Sequence, residues 1–306
     1  MSPSTKTSCL LVLYVVSPLA AAQEAVDSWI VATDVQALVG SFRSSIERDS
    51  LNVLGFFVKA DYLERGGFTF GYNRTALSFL NANSGIDQDD VFLSGRWSLT
   101  PDWASGRITV RLDGHTISND DPDNGTSDLD VIAPQLSYQN FANTFYADVG
   151  YARSNFGDSL SLAGKLEVTQ WTPTLGFGFN DSYDWLQLRG YLIDFSNPLR
   201  AQNQDSTESF EVKWIHWFDG RGPIGMDNLR LSALAGERIY AVDHDAASVY
   251  NLADMQTGSA SIGGEWLIGE RNKLMLLMSY EKFENRDIGD AYSSGSIYLN
   301  FNHRSN

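Results

Sequence analysis

Residues 106–118, GRITVRLDGHTIS, decide how the rest of the chain is read. From Arg107 to His115 every second residue is polar: Arg107, Thr109, Arg111, Asp113 and His115, with Ile108, Val110, Leu112 and Gly114 between them. An extended backbone turns successive side chains to opposite faces, so this segment reads as a strand with one charged and one apolar face. In a soluble sandwich the apolar face packs on a second sheet. In a membrane barrel it meets lipid, and the charged face looks into a wet lumen.

The same alternation recurs on both sides of this stretch. Val91, Leu93, Gly95, Trp97 and Leu99 share a face, and Leu186, Leu188 and Leu192 oppose Gln187, Arg189 and Tyr191. Phe210, Val212, Trp214 and Phe218 oppose Glu211 and Lys213, while Ala260, Ile262, Gly264, Trp266 and Ile268 oppose Thr257, Ser259, Ser261 and Glu265. No long window has helical periodicity.

The links between strands decide between the two architectures. Short links near 64–67, 100–105, 142–143, 180–183, 219–226 and 269–272 take turns with longer polar ones near 42–49, 81–89, 119–130, 156–164, 196–207, 241–253 and 284–291. Several of the longer links are acidic, as in NDDPDNGTSDLD and VDHDAAS. Cutting at the links leaves about 14 strands, each near the length of a tilted membrane strand. An even count puts both termini on the short-turn side, the periplasm. Aromatic residues gather at the short turns: Tyr62 and Phe68, Trp97 and Trp103, Phe141 and Phe145, Phe177, Phe179 and Trp185, Trp217 and Phe218, and Trp266. Amphipathic rings prefer the headgroup level, so this set reads as a girdle. The expected fold class is therefore all-β: a transmembrane antiparallel up-and-down barrel with short periplasmic turns and long acidic extracellular loops.

The first residues read differently. Lys6, the apolar run LLVLYVV and the small residues of SPLAAAQ make a secretory signal covering 1–22, which leaves 23–306 as a single barrel domain. Cys9 is the only cysteine and lies ahead of the apolar run, so the mature chain has no thiol to pair. Losing Lys6 takes the formal charge from -16 to -17, which argues against a nucleic-acid partner.

With the signal, the sorted links and the closing strand SGSIYLNFNHRSN, the chain resembles single-chain bacterial outer-membrane β-barrels. In size and strand count it resembles monomeric 14-strand porins, and in texture YaiO-type barrels. The resemblance implies an outer-membrane location, contact with outer-membrane lipid and lipopolysaccharide, and insertion by the barrel-assembly machinery, with the oligomeric state open. Such barrels end on an alternating strand with a terminal aromatic. Here Ile297, Leu299 and Phe301 alternate, but the chain runs on through NHRSN.

The candidate chemistry is sparse. Some outer-membrane hydrolases carry a His-x-Ser-Asn pattern on a strand, where residues two apart share a face. In HTISN the spacing from His115 to Ser118 is one too many, which turns the two side chains to opposite faces. His303, Ser305 and Asn306 have the right spacing, but at a terminus expected to fray. His216 falls on the apolar face near Trp214, and His244 in a loop expected to be solvated. Asp121, Asp123 and Gly125 suggest a calcium loop, but Pro122 would occupy a ligand position, so a solvated Asn-Gly turn is expected instead. No pattern calls for a metal, a cofactor or a catalytic residue.

The expected pore lining consists of Lys59, Asp61, Arg96, Arg107, Arg111, Asp113, Arg189, Glu211, Lys213, Arg230 and Glu265, with Arg111, Arg189 and Lys213 forming a positive belt near mid-height. Side chains alone do not fill a barrel of this size, so water or an inserted loop must occupy the lumen. The leading functional expectation is a channel or porin for small hydrophilic solutes or ions. A structural, adhesive or polysaccharide-handling barrel comes next, then a lipid hydrolase. A secreted soluble β-sandwich, such as a carbohydrate-binding module, comes last.

Overall fold

A computed structural model describes residues 29–63, 65–80, 85–121, 126, 128–159 and 164–305. The signal segment, residues 122–125 of the acidic loop and Asn306 lie outside the described residues. The strands are β1 (Trp29–Arg43), β2 (Arg48–Tyr62), β3 (Gly66–Phe79), β4 (Ile86–Leu99), β5 (Gly106–Asn119), β6 (Leu129–Asn140), β7 (Phe145–Phe156) and β8 (Leu166–Phe179). They continue as β9 (Asp184–Phe195), β10 (Ser206–Trp217), β11 (Asn228–Arg238), β12 (Val242–Asp243), β13 (Ser248–Val249), β14 (Met255–Ile268), β15 (Asn272–Asn285) and β16 (Asp290–Arg304).

All but β12 and β13 form one closed barrel of fourteen antiparallel strands, each paired with its chain neighbours, with β1 sealing against β16. Closure satisfies every strand edge, which a lipid surround demands. Residues 106–118 lie in β5, where Asp113, His115 and Ile117 are buried inside and Val110 and Leu112 stand more than half exposed outside. Leu54, Leu93, Ile132, Leu136, Ile262 and Met278 join them on the exterior. An exterior this apolar on a closed barrel is a lipid-facing belt. No helix among the described residues is long and apolar enough to cross a membrane.

Both termini lie at one end, called here the terminal end; its links are 63–65, 100–105, 141–144, 180–183, 218–227 and 269–271. The sorting by length is weaker than the sequence suggests. Far-end links 44–47 and 286–289 are tight because β1, β2 and β16 each run for 15 residues, and terminal-end link 218–227 is among the long ones.

At the terminal end the aromatic girdle holds Trp29 against Tyr62 and Phe68, with ring centroids 5.1 and 6.1 Å apart, and Phe145 against Phe177 at 5.9 Å. Trp185 and Trp217 are corrections to it. Both fall on the inward parity of their strands, with Gln187 and Lys213, and both line the terminal mouth of the lumen. The last described residues are also held, against the expectation of a loose terminus. β16 pairs as far as Arg304, His303 bonds Asn272 (2.8 Å), and the Ser305 hydroxyl donates to the Val31 carbonyl (2.9 Å).

Candidate functional site

The largest departure from expectation is the link 239–254. It is no solvated loop: it folds into the barrel, with β12 and β13 pairing as a small hairpin inside the lumen. Both strands that emit it break register there, β11 between Ala235 and Arg238 and β14 between Gln256 and Gly258. Such bulges bend a strand and re-aim the chain beyond it, here inward.

Apolar contact holds the root of the hairpin. Ile239, Tyr240, Ala241 and Val242 are buried against inward residues of β6–β9, including Val131, Ala152, Val168 and Ile193. The Tyr240 ring meets Phe156 edge-on at 4.8 Å. The far half of the lumen on this side is thus a dry core, not the wet charged wall that β5 alone suggests. Gln170 completes the seam, donating to the Val242 carbonyl (2.7 Å) and accepting from its N–H (3.0 Å).

Charge holds the tip. Arg189, whose side chain is 2% exposed, meets Asp243 at 3.4 Å and Asp245 at 2.8 Å. Lys213 bridges Asp245 (3.4 Å) and Glu211 (3.3 Å). Burial pushes the Asp245 carboxyl up, but Arg189 and Lys213 outweigh it and hold the group well below the usual carboxylate range. Asp243 is lowered in the same way, with burial opposed by Lys213 and then Arg189. Asp243 also shapes the turn, since its Oδ1 accepts from the N–H of Asp245 (2.9 Å) and of Ala246 (3.3 Å).

His244, expected in solvent, is 2% exposed. Its Nδ1 lies 3.6 Å from Asp113, and its Nε2 packs on the backbone of Gly150, where a Cβ would come within 2.5 Å. The hairpin therefore reaches from its root at β11 and β14 to β5 and β7, dividing the lumen. On its return, the Asn251 amide donates to Gln88 on β4 (2.5 Å).

Each residue expected to line the lumen sits on the inner face of its strand, and most find a counter-charge. Lys59 pairs with Asp34 (2.9 Å), Arg96 with Asp61 (2.6 Å), Arg111 with Asp113 (2.7 Å), and Arg230 with Glu265 (3.1 Å), which also takes Lys273 (3.5 Å). Arg107 lines a cleft at the terminal rim with Arg65 and Trp97. The positive belt of Arg111, Arg189 and Lys213 is therefore largely neutralised, by Asp113 and by the hairpin's own aspartates.

The histidine and serine pairs set aside on spacing stay apart. His115 is buried against Asp90 (3.1 Å), while Ser118 is exposed on the other face. Ser305 bonds backbone rather than His303. His216 is exterior, as expected, stacked on Trp214 at 5.8 Å. Among the described residues no group of His, Cys, Asp and Glu could hold a metal ion.

No family model and no curated protein matches the sequence. Solved structures do. One described as a bacterial polysaccharide outer membrane secretin aligns over 90% of this chain and 98% of its own, at 12% identity and a TM-score of 0.53. This is the fold of a bacterial outer-membrane barrel. The outer membrane protein Omp33 of Acinetobacter baumannii aligns over 91% of this chain and 98% of its own, at 10% identity and a TM-score of 0.45. The NanC porin aligns over 88% and 98%, at 9% identity and 0.46. The barrel seen here differs from an empty tube in one respect, the hairpin across its lumen.

Proposed function

We propose that the chain is a channel of the bacterial outer membrane, passing small hydrophilic solutes along the part of the lumen that the hairpin leaves free. The terminal end faces the periplasm in this reading, as an even strand count and the tight turns there favour. Outer-membrane lipid, lipopolysaccharide and the barrel-assembly machinery are its partners, and no enzymatic step is assigned.

One observation carries the reading: the terminal half of the interior is lined by paired charges and amides, while the hairpin crosses at mid-height. A polar wall left beside a hairpin that crosses only part of the lumen supports a water-filled path past it. A constricting hairpin fixed by ion pairs sets a bore and a local field. The apolar core around the hairpin root favours a second reading, a structural or polysaccharide-handling barrel that stays shut.

Reconstitution into vesicles separates the two. A channel lets a small neutral solute such as arabinose enter and swells the vesicles faster than protein-free controls. Swelling equal to the controls, with the barrel folded, would overturn the channel reading.

A further inference from the structure

The geometry points to a docking subsite for an uncharged polyhydroxylated solute, a sugar ring, in the cleft between Trp185 and Trp217 at the terminal mouth. The inference deepens the channel reading and rests on it for its purpose. The cleft has a volume of about 360 Å³ and is walled by the two indoles with Ile215 between them. Trp185 opens β9 and Trp217 closes β10, so both rings project into the mouth from adjacent strands. Gln139, Asn143 and Ser182 supply the polar side, from the end of β6 and from turns 141–144 and 180–183. Gly178 leaves the floor bare, since a Cβ there would lie 2.6 Å from the Asn143 carbonyl.

A sugar ring presents a flat C–H face and a rim of hydroxyls that both donate and accept. Indole faces match the first; planar amides and a hydroxyl match the second. Charge decides between a neutral and an ionic solute. The one charged residue in the lining, Asp184, already accepts from Trp214 Nε1 (3.0 Å), His216 Nδ1 (2.9 Å) and Asn180 Nδ2 (2.8 Å). An ion entering the cleft would shed water with no free counter-charge to replace it. A hydroxylated neutral solute exchanges water for amide and hydroxyl partners at little net cost. Beyond the cleft the same chemistry continues inward through Gln187, whose amide donates to Asp245 at the hairpin tip (3.4 Å). The cleft thus opens toward Gln187 and, beyond it, the hairpin tip.

The test is binding to the purified full barrel in an amine-oxide detergent, because sugar-headed detergents would compete. Tryptophan fluorescence is followed while maltose, glucosamine or gluconate is added. Maltose should give a saturable change, and the two charged probes none at equal concentration. Trp217→Ala and Gln139→Leu should each weaken the apparent affinity by about threefold to tenfold, the loss expected for one stacked ring or one good hydrogen bond. Both variants should keep the fast-migrating unheated form on a gel, which certifies the fold. Trp103→Phe, at an exposed indole outside the cleft, should titrate as wild type. No saturable maltose response, an equal response to the charged probes, or wild-type titration by Gln139→Leu would each overturn the inference. A barrel that binds maltose but swells no vesicles keeps the subsite and loses the channel. One that swells vesicles without binding maltose does the reverse.

Discussion

Replacing Asp243 by Asn removes one charge from the hairpin tip and little else. The amide oxygen still accepts from the N–H groups of Asp245 and Ala246, so the turn survives. Arg189 loses a partner while enclosed, its side chain 2% exposed against 11% for Asp243. Breaking a buried pair by removing one partner costs about 3–5 kcal/mol. Arg189 keeps Asp245 at 2.8 Å and the Thr174 hydroxyl at 3.1 Å, which lowers the expected loss. About 2 kcal/mol is then a reasonable figure, roughly thirtyfold in the ratio of undocked to docked tip. Asp245 is 43% exposed, so solvent screening reduces the effect of Asp245→Asn to about 0–1 kcal/mol. The root stays in place in both variants, because its four buried residues are held by apolar contact that neither change touches. Single-channel recording should therefore show more frequent open excursions in Asp243→Asn than in Asp245→Asn, on an otherwise intact barrel. An Asp243→Asn variant indistinguishable from wild type, or the opposite order, would refute the assignment of the latch to the buried pair.

Other consequences are simpler to check. On the lipid face, Val110→Arg and Ile262→Arg should reduce membrane insertion by about 2–4 kcal/mol near the midplane, while the neighbouring inward Ser261→Arg inserts normally; insertion yields are the readout. Gly150→Ala places a methyl 2.5 Å from His244 Nε2, so the hairpin must shift, at about 1–3 kcal/mol, and the resting conductance should rise. The carboxyls of Asp243 and Asp245 are depressed when docked, so their stabilisation is complete above the undocked carboxylate pKa near 4 and is lost as pH falls through the docked values below it. Conductance should accordingly stay flat from pH 7 to about pH 5 and rise only in stronger acid; a change centred near pH 6 would implicate a histidine instead.

The barrel itself was legible because membrane strands obey a period of two and their turns carry recognisable residues. Arg107 to His115 gives the faces of β5 correctly, and the even strand count puts both ends of the chain together. The hairpin was not legible from VDHDAAS, whose polarity matches any exposed loop. Its ion pairs join residues far apart in sequence, Arg189 with Asp243 and Asp245. A signal was nevertheless present. Val131, Ile132 and Ala133 are apolar on both faces of β6, as are Leu192 and Ile193 on β9, and such runs imply burial on both sides. One face has lipid, so the other needs a partner inside the lumen. The run Ile239–Val242 is the apolar segment available to fill it. Trp185 and Trp217 were misplaced for a different reason: position near a turn gives the height of a ring, and only parity along the strand gives its side.

A polar lumen that conducts, and a hairpin that limits it, are tested together by one comparison. The most direct measurement is single-channel conductance of the wild-type barrel beside a variant with residues 243–250 replaced by two glycines. Wild type should show a small conductance, and the variant a several-fold larger, steadily open, ohmic one. Equal conductance in the two, or silence in both with the barrels folded, would contradict the channel and its constriction.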